Sequence, residues 1–132
     1  MNTVFEIDNM KIKVKVHGNK DHGLYRLHNE SATGKTRLYN LLKQYMVAGL
    51  PVGGYSYIDL KTGTTKISHY LNKGLKLFIV DRYDMYNGQM ASDIVELSES
   101  CIVLVDCKDI PRLGVTMTYK GIVMERDCIH IG

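Results

Sequence analysis

The sequence predicts an α/β fold: a small, mostly parallel sheet flanked by helices, with antiparallel hairpin additions at the N- and C-terminal ends. Three observations carry that expectation. Two nearly continuous apolar runs, Leu75 to Val80 and Cys101 to Val105, have the character of strands buried on both faces, and each is followed by an aspartate. Apolar residues recur at helical spacing before and between those runs. Strand, loop, helix, strand, helix, strand, helix, strand is the order that crossover connections between parallel strands require.

The elements follow in turn. Ile12, Val14 and Val16 alternate with Lys11, Lys13 and Lys15, the pattern of a half-buried strand, and Val4 to Ile7 can pair with it as an N-terminal hairpin over about 4–17. His17 to Gly23 reads as a turn, and Leu24 to His28 as a short strand. From Lys35 to Ala48 the residues Leu38, Leu41, Leu42, Tyr45 and Met46 share a helical face, and Gly49 with Pro51 ends the helix. Tyr55 to Leu60 is expected as a strand and Thr65 to Asn72 as a weaker helix. Met90, Ile94 and Leu97 mark a third helix. After Pro111, Val115 to Tyr119 and Gly121 to Met124 are expected to close the fold as a hairpin within about 113–131, with Cys128 to Ile131 as a last strand.

Length and composition bound the function. At 132 residues the chain is expected to form one domain with a core at about 24–108. Seventeen basic against fourteen acidic side chains leave a net charge of +3, too little to point to nucleic acid by itself. No apolar run approaches the roughly 18 residues of a membrane span, and the first ten residues lack the pattern of a secretion signal. Cys101, Cys107 and Cys128 are few and odd in number, which fits a reduced, cytoplasmic setting.

One segment has sharp chemical content. Asn29-Glu30-Ser31-Ala32-Thr33-Gly34-Lys35-Thr36 lies between a short strand and an amphipathic helix. It resembles the phosphate-binding Walker A motif of P-loop NTPases, G-x-x-x-x-G-K-[ST], in all but its first position. There Asn29 replaces glycine, and Asn is among the residues that most readily tolerate a left-handed backbone. A wrapped loop of this kind turns backbone N–H groups inward, and the following helix adds its partial positive charge. The resemblance implies an ATP site in which Asn29 to Lys35 cradle the phosphates, Lys35 clamps the β/γ-phosphates and Thr36 ligates Mg²⁺. Leu77-Phe78-Ile79-Val80-Asp81 resembles a Walker B strand, so Asp81 is expected to face the same metal. Ile102 to Asp106 matches the family strand that inserts between those two and carries a polar sensor, with Asp106, Cys107 or Lys108 in that place. The resemblance covers about Leu24 to Lys108 and points to the branch that includes AAA+-like and RecA-like ATPases.

Turnover is less well supported than binding. That branch commonly follows the Walker B aspartate with glutamate, whereas this chain has Arg82. Asp84 is the nearest acid that could orient a water, and Arg82 could clamp phosphate or pair with Asp84. The 24 residues after Lys108 read as strands and leave no helical lid. Arg112 and Arg126 suit either arginine fingers or plain solubilising groups. The leading expectation is therefore Mg-ATP binding, with slow hydrolysis as a conformational switch. The alternative is a small protein-binding module on the same scaffold, of the kind a phage or mobile element would encode to block a host defence factor. A third is nucleic-acid binding through Lys11, Lys13 and Lys15 with some of the nine tyrosines, although such lysines equally guard an edge strand. His17, His22, His28 and His130 and the cysteines form no zinc-type spacing, and no hydrolase triad motif is present.

Overall fold

Strands that must hide both faces set the architecture, because something apolar has to cover each side. The computed structural model of the chain describes residues 2–8, 12–27, 34–63, 65–86, 88–106 and 117–132. Five parallel strands form the main sheet: β3 (Gly23–Leu27), β4 (Val52–Tyr55), β5 (Leu77–Val80), β6 (Ile102–Val105) and β7 (Thr118–Lys120), in the order β4-β5-β6-β3-β7. Every residue of β5 and β6 is buried. Leu77, Ile79, Ile102 and Leu104 point to one face, and Phe78, Val80, Val103 and Val105 to the other. Each such side chain contributes about 1.5–3 kcal/mol relative to exposure.

Helix α1 (Lys35–Val47) covers the first face through Leu38, Leu42 and Tyr45. It ends in a Schellman motif: Gly49, at φ 86, donates to the Met46 carbonyl, and Leu50 donates to that of Tyr45. Helix α3 (Gly88–Leu97) and a 3-10 turn at Ile67–Tyr70 cover the second face with Ile94, Leu97, Ile67 and Tyr70. Gly53 and Gly54 of β4 let α1 come close, since a Cβ on Gly54 would sit 3.1 Å from the Tyr39 ring and one on Gly53 2.9 Å from Met46 Sδ.

The two chain ends meet in a second sheet. Strands β1 (Asn2–Asp8), β2 (Lys13–Gly18), β8 (Ile122–Met124) and β9 (Cys128–Ile131) run in the order β1-β2-β9-β8. β1 and β2 form the expected N-terminal hairpin, while β2 and β9 pair in parallel. Val14, Val16, Ile129 and Ile131 join the core on the α1 side. Side chains of α1 and of the main sheet fasten this second sheet in place. Tyr45 donates to the Ile12 carbonyl at 3.1 Å. The buried Lys120 ammonium of β7 donates to the His17 carbonyl at 2.7 Å and lies 4.4 Å from the centre of the Tyr25 ring.

Several expectations need correction. Tyr55 to Leu60 is not a strand: β4 ends at Tyr55, and Tyr57–Thr62 forms helix α2. Ser56 caps it in a reciprocal box with Asp59, and left-handed Gly63 stops it. The helix over Thr65 to Asn72 shrinks to the 3-10 turn, because Leu71 is extended and Asn72 turns left-handed at φ 60. The closing hairpin forms between β8 and β9. A single residue between Lys120 and Ile122 cannot make a hairpin loop, so the chain changes sheets at Gly121, whose backbone exchanges two hydrogen bonds with Gly132. Strand β2 is interior, so Lys13 and Lys15 guard no edge, and Lys11 lies outside the described residues; Lys13 lies 3.7 Å from Glu6 on the facing strand. The portion of the expected hairpin before Met117 lies outside the described residues.

On the second sheet the His17 and His130 rings stack, with His17 Nε2 2.8 Å from His130 Nδ1. Thr3 Oγ1 lies 3.3 Å from the other nitrogen of His17, and Glu125 lies 3.4 Å from that of His130. One imidazole must accept the shared proton, which it can do only while neutral. Burial first, then His130, Lys15 and Lys120, hold the His17 pKa below its usual 6.5. The unfolded chain therefore binds a proton at higher pH than the folded one, and the contribution to stability present above 6.5 is lost as pH falls through the lowered folded value. Thermal unfolding is expected to shift to lower temperature between pH 7 and pH 5, by less in His17→Gln than in wild type; an equal shift in both would contradict this origin.

Candidate functional site

A parallel sheet gathers the ends of its strands along one edge, and backbone bonds here carry the order one residue further. Asp81 N–H donates to the Tyr55 carbonyl at 2.9 Å, Asp106 N–H to that of Val80 at 2.9 Å, and Tyr83 N–H to that of Asp106 at 2.8 Å. The Tyr86 hydroxyl, itself buried, donates to the Asp81 carbonyl at 2.9 Å. The two aspartates are thus fixed side by side at the ends of β5 and β6. The strand order reverses next to them: from β3 the chain goes to β4 at one edge, and the strand after β6 lies beyond β3 on the other. Ligands of open α/β sheets favour this position.

Helix α1 begins at the same place. Gly34 stands at its N-terminus with φ 87, and no side chain among the described residues caps the helix. Glycine suits the left-handed backbone there, and the Met124 side chain of β8 packs against it, so that a Cβ would make the Met124 methyl shift. Lys35 lies in the first turn, and its ammonium donates to Asp106 Oδ1 at 3.0 Å. Lys35, Thr36, Tyr39, Ile79, Asp81 and Asp106 together line a cavity of about 130 Å³.

The electrostatics are uneven. Burial, and next the charge of Asp106, raise the Asp81 pKa above its ordinary 3.8, against the pull of Arg82 and Lys35. Tyr39 is pushed up to about 12, mainly by burial, so its hydroxyl stays protonated; it donates to Asp59 Oδ2 at 3.3 Å. Asp59 also receives Ser56 N–H at 2.9 Å and the Lys43 ammonium at 3.4 Å, which ties α1 to α2.

Lys35, Thr36 and Asp81 are therefore brought together, and Asp106 joins them. Asp84 is bound elsewhere: Arg82 grips it with Nε at 3.3 Å and Nη2 at 3.1 Å, and Asp84 is not in the cavity wall. Arg82 adopts a left-handed backbone at φ 56, a conformation that costs a non-glycine residue about 1–3 kcal/mol. Asn29, Glu30, Ser31, Ala32, Thr33, His28, Cys107, Lys108 and Arg112 lie outside the described residues. Tyr83 and Tyr86 belong to the core, while Tyr57 is exposed on α2 and not paired with Tyr55 on a strand face. Cys101 is buried, and Arg126 is exposed on the turn before β9. Tyr39 escaped the sequence reading, although its place four residues after Lys35 on a helix was the available signal.

The oxygen donors suit a hard divalent cation: the Thr36 hydroxyl and the carboxylates of Asp81 and Asp106 share one small cavity, where a cation would relieve the crowding of the two acids. No group of three or more His, Cys, Asp or Glu side chains able to hold a metal occurs among the described residues. Mg²⁺ commonly uses one or two carboxylates, completing its shell with water and phosphate. No described helix is long and apolar enough to cross a membrane. In comparisons with known proteins the chain matches no family model, no curated protein and no solved structure.

Because its pKa is raised, Asp81 costs stability when it ionises above the unfolded value of 3.8. Asp81→Asn keeps the size and removes the charge. The ligand-free variant is expected to be more stable than wild type at pH 7, within the roughly 0.5–2 kcal/mol common for such relief. Urea unfolding of both proteins checks this, and a less stable variant would contradict it.

Proposed function

We propose that the protein binds a nucleoside triphosphate, ATP in the first instance, with Mg²⁺ at the C-terminal edge of its parallel sheet. The observation that carries this reading is the convergence of Lys35, Thr36, Asp81 and Asp106 on one cavity at the start of α1. Lys35 and Asp106 are 71 positions apart in sequence. The position of β6 between β3 and β5 also agrees with what the resemblance to P-loop NTPases implies.

In this reading the Lys35 ammonium and the N–H groups at the start of α1 take the phosphate charge, which both a helix N-terminus and a lysine favour. Thr36 and Asp81 hold the metal, and Asn29 to Gly34 supply the rest of the cradle. Bound Mg²⁺ would neutralise phosphate charge. A cavity of about 130 Å³ suits a phosphoryl group and its cation, leaving sugar and base outside. Asp84 must leave Arg82 before it can orient water. That requirement supports binding as the main activity, with hydrolysis slow and its role that of a switch.

A second reading, a protein-binding module, is favoured by one feature. Tyr57 and Ile58 of α2, immediately after the C-terminal end of β4, are 41% and 70% exposed. Exposed aromatic and aliphatic side chains of this kind can anchor a partner.

Calorimetric titration of ATP into wild type and Lys35→Ala, with and without Mg²⁺, tests the leading reading. Wild type is expected to bind with a dissociation constant on the order of micromolar and to require Mg²⁺. Loss of the charged hydrogen bonds, worth about 1.5–3 kcal/mol, should weaken the variant about ten- to a hundredfold. Folded wild type that gives no heat would overturn the proposal, and equal binding by Lys35→Ala would remove the lysine from the site.

A further inference from the structure

The Lys35 ammonium, the group best placed to clamp phosphate, is already engaged: it donates to Asp106 at 3.0 Å, with the two side chains only 18% and 21% exposed. Asp81 shares their cavity, so the charged side chains known to line it carry one positive and two negative charges. Against the attraction of the N–H groups of α1, these side chains set two negative charges to one positive. Any anion that draws Lys35 to itself also takes from Asp106 its hydrogen-bonded cation, with the Arg82 guanidinium held by Asp84, and leaves that carboxylate facing the newcomer in a confined space, where charges are weakly screened. The main chain of Asp106 cannot move away, because its N–H and carbonyl are both held in the sheet edge, by Val80 and Tyr83, so only rotation of the side chain is open to it.

We infer that Asp106 is a counter-ion latch on Lys35, a positioning residue that keeps the ammonium aimed into the cavity and admits a nucleoside triphosphate only as its divalent-cation complex. This rests on the nucleotide-binding reading above and adds to it the form in which the ligand is taken. The latch does two things at once. At rest it holds the long lysine side chain in one geometry and neutralises it. On binding, the acid that Lys35 leaves behind is tolerated only if a cation arrives with the phosphates, and Asp81 stands beside it to share that cation. A neutral side chain at position 106 would remove the penalty on the metal-free ligand while leaving Lys35 available.

The test measures binding of ATP to wild type, Asp106→Asn and Asp106→Ser, once with excess Mg²⁺ and once with EDTA. Thermal melts establish that each protein is folded, and the smaller serine variant serves if the asparagine variant does not fold. The expected result is a gain of at least tenfold in affinity for metal-free ATP in the neutral variant. The ratio of Mg²⁺-bound to metal-free affinity should contract by a similar factor. A residue with a purely structural role would lower both affinities together and leave that ratio unchanged. If wild type binds Mg-ATP but the neutral variants bind metal-free ATP no better than wild type does, the latch is overturned and the nucleotide reading stands. If folded wild type and variants bind ATP under neither condition, both fall together.

Discussion

The burial of β5 and β6 on both faces is the constraint on which the rest of the molecule depends. Eight apolar side chains project alternately above and below these two strands, and neither face can meet water without large cost. One face takes α1 together with the inner side of the second sheet; the other takes α3 and the 3-10 turn. The strands can shed apolar character only where they end. Asp81 and Asp106 follow directly on those ends, so the same packing that fills the core aligns two carboxylates at its rim.

The second sheet is part of the site's support. Met124 of β8 fills the space beside Gly34, Tyr45 of α1 reaches the Ile12 carbonyl, and Lys120 joins β7 to the end of β2. Helix α1 is therefore in contact with the second sheet at its start, through Met124, and near its end, through Tyr45. Beside Asp81, Arg82 holds a left-handed backbone and a bidentate pair with Asp84.

Much of this was legible in the sequence because it rests on short-range pattern. The continuous apolar runs identified β5 and β6, and the period of α1 was readable from Leu38 to Met46. The string Gly34-Lys35-Thr36, followed at a distance by Asp81, pointed to residues that the fold does bring together. The strand expected over Tyr55 to Leu60 is a helix from Tyr57 onward; the box Ser56-x-x-Asp59 is the better signal, and capping chemistry decides the outcome. The second sheet was not legible as a unit. Its central pairing, β2 with β9, is parallel and joins residues more than a hundred positions apart, and no local pattern reports such a contact. The Lys35–Asp106 pair was hidden for the same reason.

A titration of the isotopically labelled protein with Mg-ATP, followed by amide and lysine side-chain NMR, asks whether the cavity between α1 and the ends of β5 and β6 takes the proposed ligand. Binding there gives saturable shifts centred on Gly34 to Thr36, Asp81, Arg82 and Asp106, with the Lys35 ammonium resonance moving as it leaves Asp106. Shifts confined to the outer face of the second sheet, or none at millimolar nucleotide, would contradict it.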